Sequence, residues 1–301
     1  MTHPAALQLT LDVNLADTPI AAPLLDGRIA SPLVTLRRIG PSVVTQGFKP
    51  MVRDGAFAAG ELAIGTFLQA YDYGKPLLLL PASIASRLQH GQLVYDTRQR
   101  ACVRPADLAG ACIGIRSYTQ TTGMWVRGHL QDDYGVDLSR ITWICSDEAH
   151  LAEYRDPAQV ERVPDGRSID DLLTTGAIDA AIPSPALLKD PAMLPVIADA
   201  SAGATFRARH PGAMSVNHLL VVRDTVAMER PDVVAELYRL FKQAWRGSGA
   251  DPADLPFGIA ALRPTLDLAI RYAHEQKIIR RRFTVDELFD WLPRALRAEM
   301  I

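Results

Sequence analysis

Apolar residues follow two rhythms along this chain, and the rhythms take turns. Leu7-Gln8-Leu9-Thr10-Leu11-Asp12-Val13 alternates apolar and polar at each step, the period of a strand with one buried face. Thr18-Pro19 then reads as a helix start and Gly27 as its stop. Leu33-Val34-Thr35-Leu36 is a second strand. Phe48 to Ala59 carries Met51, Val52 and Phe57 at helical spacing, with Gly60 as its expected end and Glu61-Leu62-Ala63-Ile64-Gly65 as a third strand. Leu77-Leu78-Leu79-Leu80-Pro81 is apolar throughout, as a strand buried on both faces would be. Leu93-Val94-Tyr95 predicts a further strand.

The most informative stretch runs from Leu108 to Gly135. Ala111-Cys112-Ile113-Gly114-Ile115 predicts a buried strand, Ser117 to Gly123 a hydroxyl-rich turn, and Val126, Leu130 and Tyr134 one face of a helix capped by Gly135. A strand feeding a helix N-terminus leaves backbone N–H groups unpaired, and among hydroxyls these make an anion site. Ile141 to Ile144 and Ile178 to Ile182 predict strands. Between them Ser168-Ile169-Asp170-Asp171 opens a helix with a hydroxyl cap and early carboxylates. Pro183 to His210 shows no clean period. Ser215 to Val222 is a strand, Pro231 opens a helix with Val234, Leu237, Tyr238, Phe241 and Trp245 on one face, Arg263-Pro264 opens another, and Thr284 to Glu287 reads as a capping box. Ala58 to Ile64 and Thr174 to Ile182 each look like a helix, a glycine stop and a strand, one device used once in each of two halves. The C-terminal helices are expected to pack on the first half. Strands separated by helices imply parallel sheets with a ligand crevice at the strand ends.

Composition narrows the function classes. At 301 residues the chain can hold two lobes with separate cores. A formal charge of -2 gives no reason to expect nucleic acid or an anionic membrane surface, and Arg280-Arg281-Arg282 reads as a solvated helix end. No apolar run is long enough to span a bilayer, and the first residues lack the pattern of a secretory leader. Cys102, Cys112 and Cys145 lack metal-ligand spacing. Neither a metal cluster nor a phosphate loop is expected; Asp147, Glu148 and His150 are close in sequence but read as loop.

Three segments together resemble the 4,5-dihydroxyphthalate decarboxylases, which share the two-lobed fold of type II periplasmic solute-binding proteins. These are Met51-Val52-Arg53-Asp54 through Glu61-Leu62, then Asp107 through Gly128 with Gln131 to Val136, then Arg271-Tyr272-Ala273-His274-Glu275-Gln276 with Val285 to Phe289. The resemblance implies an α/β fold with a mixed sheet flanked by helices in each lobe and a ligand cleft between them. Lobe 1 is expected over 1–104 and 214–301, lobe 2 over 105–213. It further implies a cytoplasmic setting and a lyase that removes carbon dioxide from a hydroxylated aromatic dicarboxylate, working without an organic cofactor. The chain departs from the family pattern at Gln89, where a second arginine is expected, and at Asn217, where an apolar residue is.

Such chemistry needs cations for carboxylates and an acid for carbon. Histidine suits proton delivery, so His218, entering from the expected hinge, is the first candidate and His90 the second. His129, His150 and His274 read as structural or exposed. Arg53, Arg87 and Arg116 are candidates for carboxylate binding, because a guanidinium matches a carboxylate with two parallel hydrogen bonds; Arg127 reads as a salt-bridge partner. Tyr118, Thr119, Gln120, Thr121 and Thr122 form the anion turn, Thr66 and Phe67 offer a hydroxyl and a stacking face, and Asn217 stands beside His218. The partner is then a small aromatic carboxylate, with self-association left open. The competing reading is a binding protein or ligand sensor without chemistry, which the same fold would serve.

Overall fold

The computed structural model describes residues 8–163 and 166–300; Leu7 and the N-terminal segment read for a leader lie outside them. The first four strands are β1 (Leu9–Asn14), β2 (Val34–Arg38), β3 (Ala59–Ala63) and β4 (Leu77–Ser86). The chain then crosses to a second sheet made of β5 (Val94–Asp96), β6 (Cys112–Ile115), β7 (Thr142–Cys145), β8 (Val160–Arg162), β9 (Ala180–Ile182) and β10 (Met193–Pro195). It returns as β11 (Val216–Arg223). The sheet orders are β2-β1-β3-β11-β4 and β10-β5-β9-β6-β7-β8. Parallel pairs joined through helices, such as β1 with β2 and β6 with β7, a parallel pair β7 and β8 joined by a loop, and antiparallel members together make each sheet mixed.

Sheet membership moves the first crossover. Val94 pairs with Ala181 and Met193 with Asp96, so the chain has changed sheets before β5 and not at residue 104. The chain rejoins the first sheet at β11.

Several local expectations shift for steric reasons. The helix starting at Phe48 ends at Asp54, because Gly55 takes up φ 60° as a left-handed cap. Gly60 is therefore no helix stop. It lies inside β3, where a Cβ would stand 2.5 Å from the Asn14 carbonyl oxygen on the paired strand. Gly176, at φ 73°, does stop its helix, so the two look-alike segments are not one device. Thr66 to Gln69 belong to a helix, Ile64–Asp72, that follows β3 directly. Pro183 to His210 holds β10 and the helix Ala202–Arg209, neither of which its composition signals. The anion-turn helix spans Thr121–Tyr134 with Gly135 at φ 65°, and Ser168 and Asp171 form the reciprocal capping box.

The long C-terminal helix begins at Ile259, earlier than Arg263-Pro264, with Pro264 inside it. It packs against Ile64–Asp72, against β4 and also against Thr121–Tyr134. It therefore bridges the two halves and does not rest on the first alone. The Tyr272 hydroxyl donates to Asp132 at 2.8 Å, and Arg271 pairs with the same carboxylate. Gly128 lets the helices meet: a Cβ there would lie 2.2 Å from the buried Tyr272 ring. Gly128→Ala should therefore lower stability by about 1–3 kcal/mol, as overpacking does. Urea unfolding checks this, and an unchanged midpoint would show that the two helices can separate freely.

Candidate active site between the lobes

A cavity of about 790 Å³ lies between the two sheets. Phe48, Ala63, Thr66, Ser86, Arg87, Asn217 and His218 line it from the first half; Arg116, Gln120, Thr121, Thr122, Ser146, His150, Asp170 and Pro183 face them from the second.

His218 reaches the cavity because β11 inserts antiparallel between β3 and β4. The register sets His218 opposite Ala63 and Leu220 opposite Glu61. Glu61, only 1 % exposed, puts Oε2 at 2.6 Å from His218 Nδ1, while its Oε1 accepts the Ala16 N–H at 2.6 Å. A buried carboxylate locked at both oxygens holds the ring in place and fixes the proton on Nδ1. The Nε2 atom then has no partner among the described residues and is free to exchange a proton with a ligand. Phe48 packs edge-on against this ring, centroids 5.0 Å apart at 90°.

A second histidine faces the first across Phe48, whose edge also meets His150 at 6.0 Å. Read from sequence as structural or exposed, His150 is half-buried on the cavity wall, with Nδ1 2.8 Å from the Thr66 hydroxyl. Burial, aided by the positive charges of Arg116, Lys49 and Arg53, pushes its pKa down to about 4. At neutral pH it is a neutral hydrogen-bonding group and not a cation. Its loop neighbours go elsewhere: Glu148 pairs with Lys49 and Arg53, and Asp147 lies 3.9 Å from Arg116.

Positive potential comes from the other wall. The helix Thr121–Tyr134 has no side-chain cap hydrogen bond, and Thr121 and Thr122 of its first turn line the cavity, where the positive end of a helix favours an anion. Thr121 Oγ1 accepts the Gly65 N–H at 3.0 Å, tying this helix end to the start of Ile64–Asp72 in the other half. Arg87 and Arg116 are exposed at the cavity wall, Arg87 without a side-chain partner among the described residues. Arg127 adds a fully buried charge behind the turn. It forms no ion pair among the described residues, contrary to the sequence reading. Its guanidinium lies between the Tyr118 ring at 4.1 Å and the Trp143 ring at 4.9 Å, and donates to the Tyr118 carbonyl and to Gln276. Burial lowers its pKa.

Of the candidates named from sequence, His218, Arg87, Arg116, Gln120, Thr121, Thr122, Thr66 and Asn217 line the cavity. Tyr118 and Thr119 do not; Tyr118 is committed to Arg127 and Thr119 to Ser117. Phe67 is fully buried against Tyr71, and the aromatic face is supplied by Phe48 instead. Arg53 turns away to Glu148 and to the carbonyls of Ala149 and His150. His90 is buried outside the cavity, stacked on His129, while His274 is exposed.

No protein-family model matches the chain. Over 186 residues it is 28 % identical to 4,5-dihydroxyphthalate decarboxylase of Comamonas testosteroni, a match covering 56 % of this chain and 54 % of that one. Over 114 residues it is 28 % identical to the enzyme of the same name from Pseudomonas putida, covering 36 % and 44 %. The chain spans about half the length of the curated relatives it matches. Among solved structures, the periplasmic sulfonate-binding protein SsuA of Methylobacillus flagellatus aligns with a TM-score of 0.59 at 10 % identity, over 98 % of this chain and 94 % of that one. The desulfurization enzyme DszB, in complex with biphenyl-2-sulfinic acid, aligns with a TM-score of 0.58 at 12 % identity, over 97 % and 98 %. The chain resembles the 4,5-dihydroxyphthalate decarboxylases in sequence and the periplasmic binding proteins in fold. The α/β, two-lobed type II binding-protein-like architecture is thereby established.

Relative to that decarboxylase pattern, the two departures sit together. Gln89 Nε2 donates to Asn217 Oδ1 at 2.7 Å, while Gln89 Oε1 is buried without a partner among the described residues. The pair joins residues 128 apart in sequence, Asn217 on the cavity wall and Gln89 fully buried.

The low pKa of His150 has a definite consequence for pH dependence. Between about 6.5 in the unfolded chain and about 4 in the folded one, the unfolded state binds the extra proton, so stability falls as pH falls through that window. An NMR titration should place the His150 midpoint well below that of an ordinary histidine, and His150→Gln should flatten the acid limb of the stability curve. A midpoint near 6.5 would mean the ring is solvated.

Proposed function

We propose that the chain is a carboxy-lyase acting on a hydroxylated aromatic dicarboxylate such as 4,5-dihydroxyphthalate. The observation that carries this reading is the Glu61–His218 pair, opening on a cavity that has Arg87 on the same side and Arg116 with an uncapped helix N-terminus on the opposite side. The carboxylates would bind to Arg116, Arg87 and the amides of Thr121 and Thr122. Phe48 would contact the ring edge. The neutral His150, backed by Thr66, would take hydrogen bonds with a phenolic hydroxyl, and Asp170 could accept another. A hydroxyl para to the departing carboxylate pushes electrons into the ring, and His218 Nε2 delivers a proton to the carbon that bears it. The bond to the carboxylate then breaks, its electron pair restores the aromatic ring, and carbon dioxide leaves. A positioned acid of this kind contributes about a hundred- to ten-thousand-fold in rate.

The two decarboxylases of similar sequence support the reaction type. The fold alone would serve a solute receptor equally well, and that is the second reading. Unpaired Cys102, Cys112 and Cys145 fit a reducing compartment, which supports the expected cytoplasmic setting. No helix among the described residues is long and apolar enough to cross a membrane.

His218→Ala should reduce carbon dioxide release from 4,5-dihydroxyphthalate by at least about a hundredfold while leaving binding within a fewfold. Tight binding by the unaltered protein without turnover would hand the case to the receptor reading. Arg116→Gln should act chiefly on KM, raising it by about tenfold or more through the loss of a charge-assisted contact; a loss confined to kcat would move Arg116 out of the binding role.

A further inference from the structure

A second group of chemically capable side chains lies outside the cleft. His90 sits on the first crossover, between β4 and β5. His129 and Asp133 occupy successive turns of the helix Thr121–Tyr134, four residues apart and therefore on one face. Their donor atoms all lie within 4.8 Å of one another. His129 is 0 % exposed and His90 7 %, and none of the three lines the cleft cavity.

Their hydrogen bonds are missing where a polar interior would supply them. Both ring nitrogens of His90, the Nδ1 of His129 and both carboxylate oxygens of Asp133 are buried without a hydrogen-bond partner among the described residues. His129 Nδ1 stands 3.8 Å from Asp133 Oδ2, too far for a hydrogen bond. Among the described residues Asp133 has one arginine close by, the half-exposed Arg209 at 3.3 Å from Oδ1, with Asp132 and His210 also in electrostatic reach. Leaving so many polar atoms unsatisfied carries a desolvation penalty for each. A single bound cation would satisfy one atom of each residue at once.

We propose that His90, His129 and Asp133 form a binding site for one divalent transition-metal ion, structural in role, where the chain first passes from one lobe to the other. Two imidazoles and a carboxylate form a donor set suited to zinc and its neighbours, with water completing the shell. The second shell is in place: Ser215 Oγ lies 3.4 Å from His129 Nε2, so an N–H on that nitrogen turns the Nδ1 lone pair toward the cluster. Ser215 immediately precedes β11, the return crossover. One ion would thus tie the outgoing passage directly, and the returning one through Ser215, to the helix that forms the anion turn. Binding requires a small rearrangement. The His90 and His129 rings are stacked, centroids 4.1 Å apart and planes 16° from parallel, so one must rotate to aim at the shared point. Donors around a tetrahedral ion at 2.0–2.1 Å lie about 3.4 Å apart, within reach of side-chain rotation alone.

The test uses the full chain, stripped with a chelator and titrated with Zn²⁺ by calorimetry and with Co²⁺ by visible absorption. One saturable ion per chain is expected, with a Co²⁺ spectrum of low coordination number and a Zn²⁺-dependent rise in Tm. His90→Ala and the near-isosteric Asp133→Asn should each weaken binding by more than roughly tenfold, and Ser215→Ala by about tenfold. His218→Ala and His150→Ala should bind as the unaltered protein does. Absence of saturable binding overturns the proposal. So does binding that survives both His90→Ala and Asp133→Asn, or that is lost only with the cleft histidines. Each variant's Tm without metal establishes that it is folded before binding is compared.

Discussion

The insertion of β11 between β3 and β4 is the constraint on which the site depends. That strand comes from the far end of the second lobe, and its antiparallel ladder returns the chain to the first sheet. Register does the rest. Because side chains alternate with a period of two, a slip of one residue would turn His218 away from the cavity and separate it from Glu61. The same strand brings Asn217 to Gln89, and Ser215 just ahead of it meets His129. Three separate polar contacts, each between residues far apart in sequence, are thus set by one pairing.

Charge is distributed across the cleft with a division of labour. The β-sheet side provides a histidine held by a buried carboxylate, an arrangement suited to moving a proton. The helix side provides stationary positive potential: unpaired amides, Arg116 at the surface, and Arg127 deep behind the turn. Arg127 is notable because its charge is stabilised by aromatic faces and carbonyl oxygens and not by an acid. A neighbouring carboxylate would cancel the field that an anionic ligand needs. His150 stays neutral chiefly because it is buried, and the nearby Arg116, Lys49 and Arg53 also repel a proton from its ring.

A contact between the two halves away from the cavity lining complements this. The helix Ile259–Glu275 touches elements of both lobes, and its Tyr272 fits where Gly128 leaves room. Any relative movement of the lobes has to work against that contact and against the two passages of chain near His90 and Ser215.

Period and punctuation alone determined much of the fold. The strand Cys112–Ile115, the helix ending at Gly135, the Ser168 capping box and the long helix from Pro231 were all legible, because each depends on neighbours within one turn or one alternation. Local signals misled where a glycine answered to a distant strand, as Gly60 does to Asn14, and where composition lacked a rhythm, as over Pro183 to His210. In the site, residue types suited to the chemistry were visible, and His218, Arg116 and the Thr121–Thr122 turn lie on the cavity. Their partners were not visible. Glu61 behind His218, Thr66 beside His150, the aromatic cradle of Arg127 and the meeting of His90 with His129 and Asp133 each join residues that are close only after the sheets have formed. Sequence carries the short-range preferences of the backbone; which side chains share a buried volume is decided by strand register and helix packing, and these are properties of the whole chain.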